Sequence, residues 1–355
     1  MNDEWLIYRG VGEPHDGIDA LPDPPPWRDF DGAPVEEPDG PAAGSGAADG
    51  AIARRLGAHR QAAELHRPEP EELEAINAAL YLRRPLLVTG FPGTGKSTLA
   101  HAVAHELKLG RVLRWPVVSR TVLQDGLYRY DALARLQDVQ IAAGGGGQGG
   151  GHGGGQGSGP GGGPGGAPGI GKYIRLGPLG TALLPSARPR VLLIDELDKS
   201  DIDLPNDLLN VLEEGEFALP ELERVADTEP EVRVLTDDGA KVTVRGGRVR
   251  CRAFPFIILT SNGERDFPAA LLRRCIQLKL GQPGEKRLAT MVRAHLGEEA
   301  ARLGADLIRE FLSRSQSELV AADQLLNAVY LTHYAAPPTR EDLADLLIQR
   351  LDRPR

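Results

Sequence analysis

The chain has 355 residues, with 41 lysines and arginines against 50 aspartates and glutamates, and a formal net charge of −9 at pH 7. This length is ample for a buried core and favours about two domains, while the acidic balance argues against a general nucleic-acid coat. The two cysteines form no CxxC pair, which excludes a disulfide framework and a zinc-ribbon site. There is no long apolar run and no basic-then-apolar N-terminus, so we expect a cytoplasmic protein with no membrane contact.

The first 50 residues differ in composition from the rest of the chain. They are rich in Pro, Gly and Asp and poor in aliphatic side chains, so they cannot bury enough surface to offset the entropy of ordering them. We therefore interpret residues 1–50 as a mostly extended tail. Two interpretations of its aromatic side chains stay open, incidental residues or a segment that docks on the folded body or on a partner: Trp5, Tyr8, Trp27 and Phe30.

Residues 51–283 alternate between two kinds of apolar pattern. Short continuous apolar runs, typical of strands buried on both faces, occur at 85–90, 191–196, 256–262 and 275–280. Helical spacing occurs at 51–82, 97–109, 121–143, 205–214 and 269–274. The alternation predicts an α/β domain whose parallel sheet carries helices on both faces.

Two insertions and a C-terminal change of pattern complete the predicted organisation. The Gly-rich residues 144–169 predict a disordered surface loop, which closes at little entropic cost. Residues 231–252 alternate apolar and polar side chains around DDG and GG turns, which predicts an inserted β-hairpin. After Gly284 only helical patterns occur, so residues 284–355 are predicted to form a small all-helical domain.

The string GFPGTGKST at residues 90–98 fits the pattern of a phosphate-binding loop, G-x-x-x-x-G-K-[ST]. Its glycines let successive backbone N–H groups point at one centre, and the helix that follows adds its positive N-terminal end there. Lys96 would contact the β- and γ-phosphates, and the Ser97 hydroxyl would bind Mg²⁺. The predicted cofactors are ATP and Mg²⁺, and the predicted nucleotide contacts are Gly90, Pro92, Gly93, Thr94, Gly95, Lys96, Ser97 and Thr98.

Polar residues end two of the other apolar runs. Asp195 and Glu196 follow VLLI, at the end of the strand where ligands bind in such sheets. We predict that Asp195 holds Mg²⁺ and that Glu196 polarises the attacking water as a general base. An acidic cap on the next helix would explain one carboxylate but not the pair. Asn262 ends the run FIILTS and is placed to contact the γ-phosphate or the lytic water.

Arg273 and Arg274 end a short helical pattern just before the run CIQLKL. One interpretation is a solvated basic helix end that complements the helix dipole. The other is an arginine finger that reaches the γ-phosphate of a neighbouring subunit, an effect worth ~10³–10⁵ in rate. In that case ATP hydrolysis would depend on assembly.

Taken in order, GFPGTGKST, VLLIDELDKSDIDLPNDLLNVLEEGEF, ILTSN and ALLRRC resemble an AAA+ ATPase of the MoxR type, over roughly residues 70–350. The resemblance implies a P-loop AAA+ core with a helical lid, Walker B acids at Asp195 and Glu196, sensor 1 at Asn262 and a finger at Arg274 or Arg273. It also implies a hexameric ring that remodels a protein substrate, often with a partner carrying a von Willebrand factor A domain. The chain departs from the family at sensor 2, where Arg314 precedes the expected position and Ser317 or Glu318 occupies it.

Three functions stay open at this point. The first is a ring-forming Mg²⁺-dependent ATPase that remodels or matures a protein partner. The second is a DNA-associated motor or loader that uses the basic hairpin, whose arginines are Arg245, Arg248, Arg250 and Arg252. The third is a nucleotide-dependent scaffold or switch that does not hydrolyse ATP. A solvated outer strand face is the simpler explanation of the hairpin arginines.

Overall fold

The structure, a computed structural model, describes residues 3–35, 66–144, 169–315 and 322–334. The predictions for the end of the tail, for the helical pattern at 51–65, for most of the Gly-rich insertion and for the last lid helix lie outside the described residues. So do Ser317 and Glu318, and the side chain of Arg314 is not described.

The strands, in chain order, are β1 (Leu86–Thr89), β2 (Leu113–Pro116), β3 (Tyr128–Tyr130), β4 (Ile174–Leu176), β5 (Val191–Asp195), β6 (Glu216–Ala218), β7 (Glu231–Leu235), β8 (Lys241–Arg245), β9 (Arg248–Arg250), β10 (Phe256–Ser261) and β11 (Ile276–Lys279). The helices are α1 (Pro70–Leu82), α2 (Lys96–Glu106), α3 (Leu123–Leu127), α4 (Ala132–Gly144), α5 (Pro178–Ala182), α6 (Asp203–Glu214), α7 (Pro220–Glu223), α8 (Ala269–Arg274), α9 (Glu285–Leu296), α10 (Glu298–Leu303), α11 (Ala305–Ser315) and α12 (Ala322–Tyr334).

The central sheet has five parallel strands in the order β11-β1-β10-β5-β2. Its inner strands are buried on both faces, since Leu192 and Ile194 belong to one apolar cluster whereas Val191 and Leu193 belong to the other. Strand β10 lies between β1 and β5, so the carboxyl ends of all three strands meet at one edge. The predicted fold class, an α/β P-loop core with a parallel sheet flanked by helices, is confirmed.

A second sheet was not predicted. Its six strands run in the order β3-β4-β7-β8-β9-β6, and β7 and β8 form an antiparallel pair within the region predicted as a hairpin. The prediction of one helix over residues 121–143 is wrong, because Tyr128–Tyr130 leaves the helical path and pairs with Ile174–Leu176. That partner lies beyond the Gly-rich insertion, so local sequence spacing does not reveal it. Strand β2 was also missed.

Residues 3–35, which we call the N-terminal strap, pack on the core as short 3-10 helices joined by irregular segments. Of the aromatic residues that left two interpretations open, Tyr8 and Phe30 are buried in the two core clusters, and Trp27 is 72% exposed. The strap is held by apolar side chains in these clusters and also by buried polar contacts. Asn77 Oδ1 accepts hydrogen bonds from the backbone N–H groups of Ile7 and Tyr8, at 2.8 and 2.9 Å.

The helices after Gly284 form their own apolar cluster, which includes Leu288, Val292, Ile308, Phe311 and Leu325. This cluster is separate from the two that flank the central sheet, which agrees with the all-helical character predicted for this part of the chain. Within the described ranges, every helix is too short or too polar to cross a membrane.

Candidate nucleotide-binding site

The loop between β1 and α2 has the geometry of a phosphate cradle. Gly93 and Gly95 adopt φ values of 78° and 87°, a left-handed conformation that disfavours any residue with a Cβ. Gly95 is also the N-cap of α2, so the N-terminal end of that helix faces the loop. Phe91, Pro92 and Gly93 are exposed, whereas Thr94 is buried and its hydroxyl donates to the Phe91 carbonyl at 2.9 Å.

Lys96 lies inside the loop. Its Nζ donates to the carbonyl oxygens of Gly90 and Phe91 at 2.7 and 2.9 Å and to Asn262 Oδ1 at 2.7 Å. Burial lowers the pKa of Lys96, and the charges of Asp198, Asp195 and Glu196 oppose that shift. Two side chains separated by 166 residues, Lys96 and Asn262, therefore meet beside the loop.

Asp195 receives four side-chain hydrogen bonds. Its Oδ1 accepts from Ser97 at 2.9 Å and from Thr260 at 2.8 Å, and its Oδ2 accepts from Arg114 Nη2 and Nε at 2.6 and 3.2 Å. Burial alone would raise the pKa of Asp195, but the hydrogen bonds from Arg114, Thr260 and Ser97 together lower it. The carboxylate is thus ionised and held rigidly at the end of β5.

Ser97 and Asp195 fit a magnesium ion. Both present hard oxygen donors, and Mg²⁺ is typically held in proteins by one or two side-chain oxygens together with phosphate oxygens and waters. The described residues contain no cluster of three or more His, Cys, Asp or Glu, as would be needed for a metal site built from the protein alone.

Glu196 follows Asp195 in a left-handed backbone conformation, with φ of 63°. Its N–H donates to Thr260 Oγ1 at 2.8 Å, and its half-exposed carboxylate accepts from Lys199 Nζ at 2.8 Å. Thr260 therefore bonds both acidic residues, one through the side chain and one through the backbone. A left-handed conformation is unusual for a residue with a side chain. It sets the direction in which the Glu196 side chain leaves the end of β5.

Asn262 is held in place by Asp198, a residue that is 2% exposed. Asp198 Oδ2 accepts from the N–H groups of Asn262 and Glu264 at 2.9 and 3.1 Å. These bonds tie the turn after β10 to the turn after β5. The sequence reasoning did not single out Asp198, although it stands two residues after the acidic pair.

The two finger candidates both lie at the C-terminal end of α8. Arg274 Nε donates to Glu213 Oε2 at 2.9 Å, so this side chain is held against α6. Arg273 is exposed, and its Nε donates to the Ala269 carbonyl of its own helix, at 3.3 Å. The structure therefore brings neither arginine to the phosphate-binding loop of its own chain.

A cavity of about 380 Å³ lies beside the loop, between the segment that precedes α1 and the first lid helix, α9. Thr94, Gly95 and Thr98 line one side, and Arg287 of α9 lines the other. Arg287 bonds Glu72, which is 4% exposed, and its Nη2 donates to the Thr94 carbonyl at 3.4 Å. The lid thus touches the loop through Arg287, a residue that the sequence reasoning did not select.

The hairpin arginines are largely paired with acidic residues of the same surface. Arg245 bonds Glu231 at 2.8 Å and Arg248 bonds Glu223 at 3.1 Å. Arg250 lies 2.9 Å from Asp31 of the strap. Their charges are therefore largely balanced, which favours the solvated strand face over a nucleic-acid grip.

The comparisons with known proteins give similarity to solved structures only. No protein-family model matches the chain, and no curated protein matches it. It is similar to the structure of NtrX from Brucella abortus in complex with ADP, at 14% identity and a TM-score of 0.41, over 86% of this chain and 61% of that chain. It is also similar to C. elegans PCH-2, at 14% identity and a TM-score of 0.34, over 87% of this chain and 69% of that chain. The chain therefore spans less than two thirds of the NtrX chain, and the identification of the site rests on its own residues.

Proposed function

We propose that this protein is a Mg²⁺-dependent ATPase of the AAA+ class and the MoxR type. One observation carries the proposal: beside a glycine cradle, Lys96 donates to Asn262 and the adjacent Ser97 donates to Asp195, so that side chains from three separate strand ends meet as two hydrogen-bonded pairs. Phosphate binding by backbone N–H groups and a buried lysine, next to an oxygen pair suited to Mg²⁺, is the chemistry of a nucleoside triphosphate site.

In the proposed reaction, Lys96 exchanges its carbonyl and amide partners for phosphate oxygens, and Asn262 orients the γ-phosphate or the water. Ser97 and Asp195 would hold Mg²⁺, which neutralises charge that develops on the phosphates. Glu196 accepts the proton of the attacking water, and Lys199 holds that carboxylate until a water reaches it. The cavity between the segment that precedes α1 and helix α9 has room for the adenine base of ATP, with Arg287 at its edge.

Assembly and partners belong to the same proposal. We infer a ring, hexameric by resemblance, in which Arg273 or Arg274 completes the site of a neighbouring subunit, and a protein substrate or von Willebrand factor A-type partner, in the cytoplasm. The exposed Arg273 side chain is the freer of the two, because Arg274 is held by Glu213. ATP turnover per subunit should therefore rise as protein concentration rises.

The decisive test measures nucleotide binding and hydrolysis separately. Calorimetry with Mg·ATP should show binding by the wild type and by Glu196→Gln, whereas turnover should fall about a hundredfold or more in Glu196→Gln. Glu264→Gln is the matched control, since Glu264 lies in the next turn and is exposed. If the wild type binds Mg·ATP but does not hydrolyse it at any protein concentration, the scaffold function is favoured. If DNA stimulates ATP hydrolysis and Arg245→Ala removes that stimulation, the DNA motor is favoured.

A further inference from the structure

A second cavity, of about 470 Å³, lies at the carboxyl end of β2. Its lining includes four arginines, Arg114, Arg120, Arg129 and Arg175, against two aspartates, Asp125 and Asp237. The whole chain carries a net charge of −9, so a local excess of positive charge here is unusual for this protein. We call this feature the arginine cavity.

Two of its arginines lie directly opposite each other. Arg129 of β3 and Arg175 of β4 are partners in the antiparallel register, and both are exposed. Like charges in that position repel and destabilise a strand pair. Acidic neighbours relieve this only weakly, since Asp125 lies 3.8 Å from Arg129 and Arg175 donates to a backbone carbonyl of Asp237. An anion between the two guanidinium groups would remove the repulsion.

The other two arginines differ in what they bind. Arg120 is exposed and makes no ion pair or side-chain hydrogen bond within the described part of the chain. Arg114 donates two hydrogen bonds to a single oxygen, Asp195 Oδ2, although 57% of its side chain is exposed. Because β2 and β10 flank β5 on opposite sides, Arg114 approaches Asp195 from the side away from Thr260. One guanidinium therefore belongs both to the cavity and to the acidic residue of the candidate nucleotide site.

We propose that the arginine cavity binds a small anion carrying several phosphate groups, and that Arg114 is shared between this anion and Asp195. Guanidinium groups bind phosphate through paired hydrogen bonds, and the cavity volume is that of a small-molecule site rather than of a polymer groove. An anion that draws Arg114 away leaves the charge of Asp195 unpaired and so favours a cation beside it. Anion binding in the arginine cavity does not depend on the proposed function, whereas the consequence for Mg²⁺ rests on it.

The test uses calorimetry with sodium tripolyphosphate in the full-length Lys96→Ala variant, without magnesium, so that the phosphate-binding loop contributes least. We expect one equivalent to bind. Arg120→Ala combined with Arg175→Ala should weaken binding about tenfold or more, because two charge-assisted contacts are lost. Arg245→Ala combined with Arg248→Ala removes the same charge from the second sheet and should leave binding unchanged.

Asp195→Asn tests the sharing of Arg114. With the carboxylate gone, Arg114 is released to the cavity, so tripolyphosphate should bind several-fold more tightly than in the parent variant. Ser97→Ala, which removes another partner of Asp195 but not its charge, should have no such effect. Adding Arg114→Gln to Asp195→Asn should abolish this tightening, whereas the mere loss of a nearby negative charge would tighten binding with or without Arg114.

Three outcomes would overturn the proposal. Absence of binding, or equal weakening by the two arginine pairs, would show that the cavity is not the site. If tripolyphosphate binds Asp195→Asn with unchanged affinity, Arg114 is not shared between the anion and Asp195. Displacement of tripolyphosphate by single-stranded DNA with an affinity that rises with DNA length would replace the small anion by a nucleic acid. Wild-type binding of Mg·ATP is measured separately, so failure of the cavity and failure of the proposed function are distinguishable.

Discussion

The two ends of helix α2 show how differently one element can be held. At its start, Lys96 contacts carbonyl and amide oxygens that phosphate oxygens would replace in the proposed nucleotide site. At its end, Glu106 is 1% exposed and accepts hydrogen bonds from the N–H groups of Arg9, Gly10 and Gly12. The fixed end contacts a segment 94 to 97 residues away along the chain, and the exchangeable end faces the cradle. A rigid anchor at one end lets the other end keep its geometry while its partners change.

The largest expected effect is at the fixed end. Glu106→Ala leaves three backbone N–H groups of the strap without an acceptor in a buried setting, so it should cost about 3–5 kcal/mol of unfolding free energy. Urea unfolding followed by circular dichroism measures this. Glu13→Ala, which changes an exposed carboxylate of the same strap, is the control and should be close to neutral. An effect of Glu106→Ala below about 1 kcal/mol would mean that the strap contributes little to the core.

The exchangeable end should respond in the opposite way. Lys96→Ala should weaken ATP binding about a hundredfold, because the charged contact with phosphate is lost. Its unfolding free energy without nucleotide should change by less than about 1 kcal/mol, since burial already disfavours the charged form of this lysine. Calorimetry and urea unfolding on the same variant check both statements. A large loss of stability would show that Lys96 is an anchor as well.

Arg28 offers a second anchor in the strap. It is 4% exposed, donates to the carbonyl oxygens of Arg83, Leu212 and Glu213, and lies over the ring of Phe254 at 4.6 Å. Arg28→Met keeps much of the packing volume but removes the donors at the C-terminal ends of α1 and α6. We expect a loss of about 2–3 kcal/mol by urea unfolding. Arg9→Met, at an exposed position of the same strap, should be close to neutral.

The smallest effect concerns pH and the contact between core and lid. Burial would raise the pKa of Glu72, but the nearby His66, whose Nε2 lies 3.4 Å from Glu72 Oε2, and the charge and hydrogen bond of Arg287 lower it overall. A carboxyl group whose folded pKa is lowered contributes stability above its unfolded value, near 4.5, and loses it as pH falls through the folded pKa. The acid loss of stability should therefore be shallower in Glu72→Gln than in the wild type. Thermal unfolding between neutral and acid pH measures it, and parallel curves would contradict the prediction.

The sequence predicts those parts of the site that depend on local spacing. The phosphate-binding loop, the acidic pair and the polar end of β10 each lie within a few residues of an apolar run, so their positions at strand ends follow from the pattern. Arg114 and Arg287 could not be found in this way. Each acts through a partner far along the chain, Asp195 or Glu72, and neither carries a local signal that separates it from other surface arginines.

The same reasoning explains the errors in the fold. The second sheet joins β3 to β4 across the Gly-rich insertion and joins β4 to β7 by a parallel pair, so its register depends on contacts between distant segments. The strap looked like an extended tail because its composition is poor in aliphatic residues. Several of its backbone N–H groups donate to the buried side chains of Asn77 and Glu106, and the composition of the strap does not show where such acceptors lie.

Strand β2 is an edge strand of the central sheet and ends in Pro116. The N–H of Val117 donates inward to the Asp195 carbonyl at 3.0 Å, so the neighbouring Pro116 turns its backbone nitrogen outward. Proline has no proton there to offer, and an incoming strand from another molecule would miss that hydrogen bond. The edge nearest the arginine cavity therefore offers an added strand one hydrogen-bond donor fewer than an edge without proline would.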